Sequence, residues 1–107
     1  MDVNLIIAAY KRHMKARGYA SKTLECYAFG LKQFAAYLQV LQITDFRRVT
    51  REIICDYHAS VMALDLATES KAIRIRVVKR LFEYLVDSHR LLINPAEGIV
   101  ETSRKHR

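Results

Sequence analysis

The chain has 107 residues, 51% hydrophobic and 27% charged, with 18 Lys and Arg against 11 Asp and Glu for a formal net charge of +7. That is enough apolar material for one core and too little length for two, and it excludes low-complexity disorder. Three glycines and one proline leave little of the turn punctuation that an all-β fold needs.

The first segment carries Val3, Ile6, Ile7, Tyr10 and Met14 at steps of three and four, which predicts an amphipathic helix. Gly18, following Arg17, is placed to end it in a left-handed cap, and Lys11 and Lys15 flank the stripe. The apolar run from Leu5 to Tyr10 is far too short to span a membrane, and no basic region precedes it as in a secretory signal. No membrane partner is therefore expected. Cys26 and Cys55 are the only cysteines, too few for a disulfide framework, so a reducing cytoplasm is the expected setting.

Ser21 reads as the N-cap of a second helix, in which Leu24, Tyr27, Leu31, Phe34, Leu38 and Leu41 form the cleanest stripe in the chain. Phe29 falls nearly opposite, with Lys22, Glu25, Lys32 and Gln33. A connector from Gln42 to Val49 offers Ile43, Phe46 and Val49 to the underside of the bundle. Thr50 reads as the next N-cap, with Val49 and Ile54 spaced as a hydrophobic staple. Ile53, Ile54, Tyr57, Val61 and Leu64 continue the third helix, and Leu66 and Ala67 occupy a turn.

The fourth helix is expected from Thr68 to Ser88, with Ile73, Val77, Val78, Leu81, Phe82, Tyr84 and Leu85 making a wide apolar face. Arg76, Lys79, Arg80, Glu83 and Asp87 share the opposite, solvated face, where Lys79 and Glu83 have the spacing of a helix pair. Lys71 and Arg74 stand on the apolar side. The cheaper arrangement lets that end of the helix project beyond the core. Asn94, Pro95, Ala96 and Glu97 read as an N-cap, a first-turn proline and a reciprocal acidic cap around one helical turn. The tail from Glu101 has no apolar period. The fold expected is all-α, four main helices and a short C-terminal turn.

Little in the sequence points to catalysis or to a cofactor. Gly18, Gly30 and Gly98 are isolated and build no phosphate loop. Cys55 and His58 are the single close pair of metal-ligand types, and one such pair is a weak metal signal. Cys26 has no base beside it, and the carboxylates lie mostly among basic residues on helix surfaces. The cationic excess is spread over the chain rather than gathered in an arm. Such a distribution suits a folded surface laid along a phosphate backbone.

Ser21-Lys22-Thr23-Leu24-Glu25-Cys26-Tyr27, followed by Leu31, Phe34 and Leu38, resembles the second helix of the N-terminal core-binding domain of tyrosine site-specific recombinases, the phage-integrase family. The likeness continues through Val49-Thr50-Arg51-Glu52-Ile53 and Arg80-Leu81-Phe82-Glu83-Tyr84-Leu85, and closes on Leu92-Ile93-Asn94-Pro95-Ala96. It implies a SAM-like orthogonal four-helix bundle over residues 1–100, forming half of a clamp around double-stranded DNA, with 101–107 beginning the linker to a catalytic domain of the same polypeptide. On that resemblance the chain by itself is not an enzyme, and its partners are the core recombination site, the catalytic half and other recombinase protomers. Tyr10, Tyr27, Tyr57 and Tyr84 match packing positions rather than a nucleophile.

The resemblance further implies that the starts of the second and fourth helices lie over the major groove. It assigns Lys22, Thr23, Cys26 and Phe29 on one helix, and Thr68, Glu69, Lys71 and Arg74 on the other. Glu69 suits a cytosine amino group better than a phosphate. Arg104, Lys105 and Arg107 would follow the backbone as the linker crosses the duplex. Lys22 and Arg74 must then face the same side of the molecule. Two readings compete with this one. A freestanding DNA-binding regulator needs a tighter turn than Gln42–Val49 before its recognition helix, and a protein-interaction module would use Phe29 as a contact.

Overall fold

The computed structural model describes residues 1–101; Arg104, Lys105 and Arg107 lie outside the described residues. Four α-helices follow in order: α1 (Val3–Ala16), α2 (Ser21–Val40), α3 (Arg51–Met62) and α4 (Thr68–Asp87), with one 3-10 turn, Phe46–Arg48, between α2 and α3. Among the described residues there is no strand; a single antiparallel bridge joins Asp2 to Asp45, where Val3 N donates to the Thr44 carbonyl and Phe46 N to that of Met1.

The core forms where the apolar stripes meet. Phe34 of α2 lies at its centre, stacked on Phe46 and edge-on to Tyr57 and Phe82; Phe34, Phe46 and Phe82 are fully buried. The connector thus does tuck beneath the bundle, with Phe46 and Val49 both in the core. Val3, Ile6, Ile7, Tyr10 and Met14 of α1 are all buried, as their spacing requires. On α4 the buried set is Ala72, Ile75, Val77, Val78, Leu81, Phe82 and Leu85, with Ile73 and Tyr84 at its edge. α2 packs closely on α4 at Gly30. A Cβ there would stand 3.2 Å from Cγ2 of Val77, whose side chain is itself fully buried.

The helix ends depart from the sequence reading in four places. α2 starts one residue earlier, with Ala20 as its N-cap and no side-chain cap bond. Leu41 is exposed, because α2 ends there: Gln42 turns to φ 61° and Ile43 folds back to donate to the Leu38 carbonyl. Leu64 is exposed as well, α3 having stopped at Met62. At residues 94–99 the expected turn forms as two overlapping turns, Glu97 N to Asn94 O and Ile99 N to Ala96 O. There Asn94 Oδ1 accepts from Ala96 N as expected of a cap, while the Glu97 carbonyl, not its carboxylate, takes up Nη1 of Arg51.

Candidate nucleic-acid interface

Among the four helices, the starts differ in a way that bears on ligands. The first N–H groups of any α-helix lack intrahelical partners and carry the positive end of its dipole. Asp2 accepts from Leu5 N at the start of α1, and Thr50 from Ile53 N at the start of α3. α2 and α4 begin at Ala20 and Ala67 with no side-chain acceptor. Their donors are left to solvent or to an anion.

Those two open starts flank one groove of about 500 Å³, lined by Lys22, Glu25, Cys26, Phe29, Leu66, Ser70, Ile73 and Arg74 around Gly30. Lys22, Cys26, Phe29 and Arg74 are thus brought together on one side of the molecule. The guanidinium of Arg74 lies over the Phe29 ring, 5.2 Å from its centroid, a cation–π contact that holds the charge at the groove. Phe29 keeps 53% of its surface exposed. Glu25, on the same face of α2, puts one carboxylate among these cations.

The remaining expected residues fall elsewhere. Thr23 is half-buried on α2 and does not line the groove. Thr68 and Glu69 are exposed in the first turn of α4. Lys71 is half-buried, and its Nζ donates to the Met62 carbonyl at 2.7 Å, where a cation meets the negative end of α3. The start of α4 therefore does not project freely beyond the core. Lys71 is folded onto α3 and Arg74 onto Phe29.

The cations further along α4 are tied to carboxylates. Arg76 reaches Glu101 at 2.9 Å, with Lys79 4.0 Å from the same carboxylate. Arg80 pairs with Glu83 at 3.1 Å, three residues away, in place of the Lys79–Glu83 pair suggested by spacing. A hydrogen bond from Arg47 holds the Asp45 carboxyl down to a pKa of about 2.

Tyr10 and Tyr57 are buried in the core. Burial pushes the Tyr57 phenol up to about 12 and the Tyr10 phenol higher still, the wrong direction for a phenolate nucleophile. The Tyr57 hydroxyl and Nε2 of His58 are buried without a hydrogen-bond partner. Cys55 is exposed, and among the described residues no three His, Cys, Asp or Glu side chains gather into a metal-holding group. No described helix is long and apolar enough to cross a membrane.

Sequence reasoning missed a second groove, of about 780 Å³, between the connector and the segment after α4. Phe46, Arg47, Thr50, Arg51, Arg90 and Leu92 are among its walls. Leu92 and Ile93 are 95% and 79% exposed there. Both fall outside the helical periods, so no stripe marked them.

The described residues thus form a small all-helical domain with a groove, lined by Phe29, Lys22 and Arg74, between two open helix starts. Residues 7–89 match the family model described as the phage integrase N-terminal SAM-like domain, and the chain belongs to that family. Over 102 residues it is 30% identical to the tyrosine recombinase XerC of Lacticaseibacillus casei strain BL23, and equally to that of Lacticaseibacillus paracasei strain ATCC 334. Each alignment covers 94% of this chain and 34% of the relative, so the chain spans about a third of the length of these recombinases. No solved structure matches it.

Proposed function

We propose that this chain is the DNA-grasping N-terminal half of a site-specific tyrosine recombinase. It seats the core recombination site for a catalytic domain of the same polypeptide, within an assembly of protomers on the duplex. The observation that carries this reading is the convergence of Lys22, Cys26, Phe29 and Arg74 on the α2–α4 groove, beside two helix starts that no side chain caps. Phosphates there meet unpaired N–H donors and two cations. Arg74 has the fork that reads guanine, and the exposed Phe29 face suits a thymine methyl. Strand cleavage and rejoining belong, on this proposal, to the catalytic half. The exposed Leu92 and Ile93 favour a second, protein-facing contact, with that half or with a neighbouring protomer.

The test is duplex binding followed by fluorescence anisotropy at increasing KCl. Arg74→Ala weakens binding by about 1–3 kcal/mol if the guanidinium reads a base, whereas Arg80→Ala, already paired with Glu83, changes it little. Duplex affinity indifferent to salt, or the reverse ranking of the two variants, overturns the assignment.

A further inference from the structure

Phe29 lines two grooves, not one. Beyond the α2–α4 groove it also borders a smaller one between α1 and α2, of about 360 Å³, whose walls include Ile7, Lys11, Ala28 and Lys32. Lys22, Glu25, Phe29 and Lys32 are separated by three, four and three residues, so they run in one stripe along the exposed side of α2. Lys11 comes to the far end of that stripe from α1. Among the described residues, no carboxylate pairs with Lys11, Lys22, Lys32 or Arg74. By contrast, Arg47, Arg76, Lys79 and Arg80 all have acidic partners.

We infer that Lys11 and Lys32 form a second phosphate-binding site, which holds the opposite wall of the DNA groove from the one held by Lys22 and Arg74. This rests on the reading of the chain as a duplex-binding domain and extends it to α1. Lys22 and Lys32 are ten residues apart, a rise of about 15 Å along α2. The major groove is about 12 Å wide, so α2 laid across it presents Lys22 to one phosphate wall and Lys32, beside Lys11 of α1, to the other. Phe29 stands between them with the Arg74 guanidinium over its ring, above the base edges. The ligand at the second site is the phosphodiester backbone, met by two flexible ammonium groups without base preference. Its contribution is to fix how α2 crosses the groove, while the α2–α4 end supplies the reading.

The experiment measures the slope of log affinity against log KCl for the 107-residue chain and a 20-base-pair duplex, with 15N NMR titration at low salt as a second readout. Each phosphate contact contributes about 0.9 to the slope, so Lys11→Ala/Lys32→Ala lowers it by about 1.8, as does Lys22→Ala/Arg74→Ala. Amide shifts spread along α2 to Lys32 and onto α1 around Lys11. A control pair, Arg47→Ala/Arg90→Ala, removes the same charge from a groove sharing no residue with either site and leaves the slope unchanged. If Lys11→Ala/Lys32→Ala leaves the slope intact while Lys22→Ala/Arg74→Ala lowers it, the second site is refuted and the first stands. An equal fall in the control refutes it too, the effect being net charge alone. No duplex binding by the unaltered chain, in either readout, overturns both. Lys11 and Lys32 are exposed on helix surfaces, and alanine is the strongest helix former, so the variant keeps its fold.

Discussion

The opening two turns of α4 and the stretch from Arg76 onward carry similar numbers of cations and use them differently. From Arg76 onward, Arg76 and Lys79 close on Glu101 and Arg80 on Glu83, so the positive charge there is already paired. In the opening turns, Lys71 meets a backbone carbonyl and Arg74 an aromatic ring. Neither contact neutralises the charge it holds. A carboxylate partner competes with phosphate for the same cation, whereas a carbonyl or a ring fixes its position and leaves its field intact. Counting Lys and Arg therefore says little about where a polyanion docks; what each cation already touches says more.

Lys71→Met probes that contrast with the largest expected effect. It removes the donor from the Met62 carbonyl and lowers stability by about 1.5 kcal/mol, the usual scale for a hydrogen bond to a charged group, read as a shift in the thermal or urea midpoint. Its salt slope for DNA stays close to that of the unaltered chain, because the Met62 carbonyl holds Nζ and Lys71, unlike Arg74, does not line the groove. A large slope change with no loss of stability would place Lys71 beside Arg74 as a ligand group. Next in size is Ala67→Asp, which gives α4 the cap it lacks. Stability rises by about 1 kcal/mol while DNA affinity falls, since the new carboxylate takes the free N–H donors and repels phosphate. A gain in both would mean that the start of α4 is not at the interface.

Glu101→Gln is the smallest change and runs the other way. Half-exposed ion pairs contribute about 0–1 kcal/mol, so stability barely moves, but Arg76 and Lys79 are released. Affinity for duplex rises, and the salt slope steepens by up to about 1.8 if both cations then find phosphates. An unchanged slope would show that α4 from Arg76 onward faces away from the DNA whatever its pairing.

Much of the fold was written in short-range pattern. The stripes on α1 and α2, the Thr50 cap and the buried connector all follow from neighbours within a few residues. Where the fold departed from that reading, the cause lay further off. Gly18 announced a left-handed helix end, but Gln42 and His89 adopt the same positive φ without a glycine to mark them. In each, packing of the residues that follow outweighs the local steric cost, about 1–2 kcal/mol. Glu101 read as the start of a featureless tail because its partner, Arg76, is 25 residues back along the chain. Within the groove, Arg74 and Phe29 were each legible as residues on the wrong face of a helix. Their contact was not, since it needs the separation of α2 and α4. The Lys11–Lys32 neighbourhood was hidden for the same reason: each looked like an ordinary solvated lysine until α1 and α2 were set side by side.

That separation returns to Gly30. Only a hydrogen atom stands between the α2 backbone and Val77, so direct contact sets the spacing of the two groove walls. On the proposed reading, a ligand that enters finds Lys22 and Arg74 on walls whose spacing is already set. Little of the free energy of contact is then diverted into arranging the protein. A longer side chain at position 30 would act as a wedge, turning a fixed gauge into one that must be adjusted at every encounter.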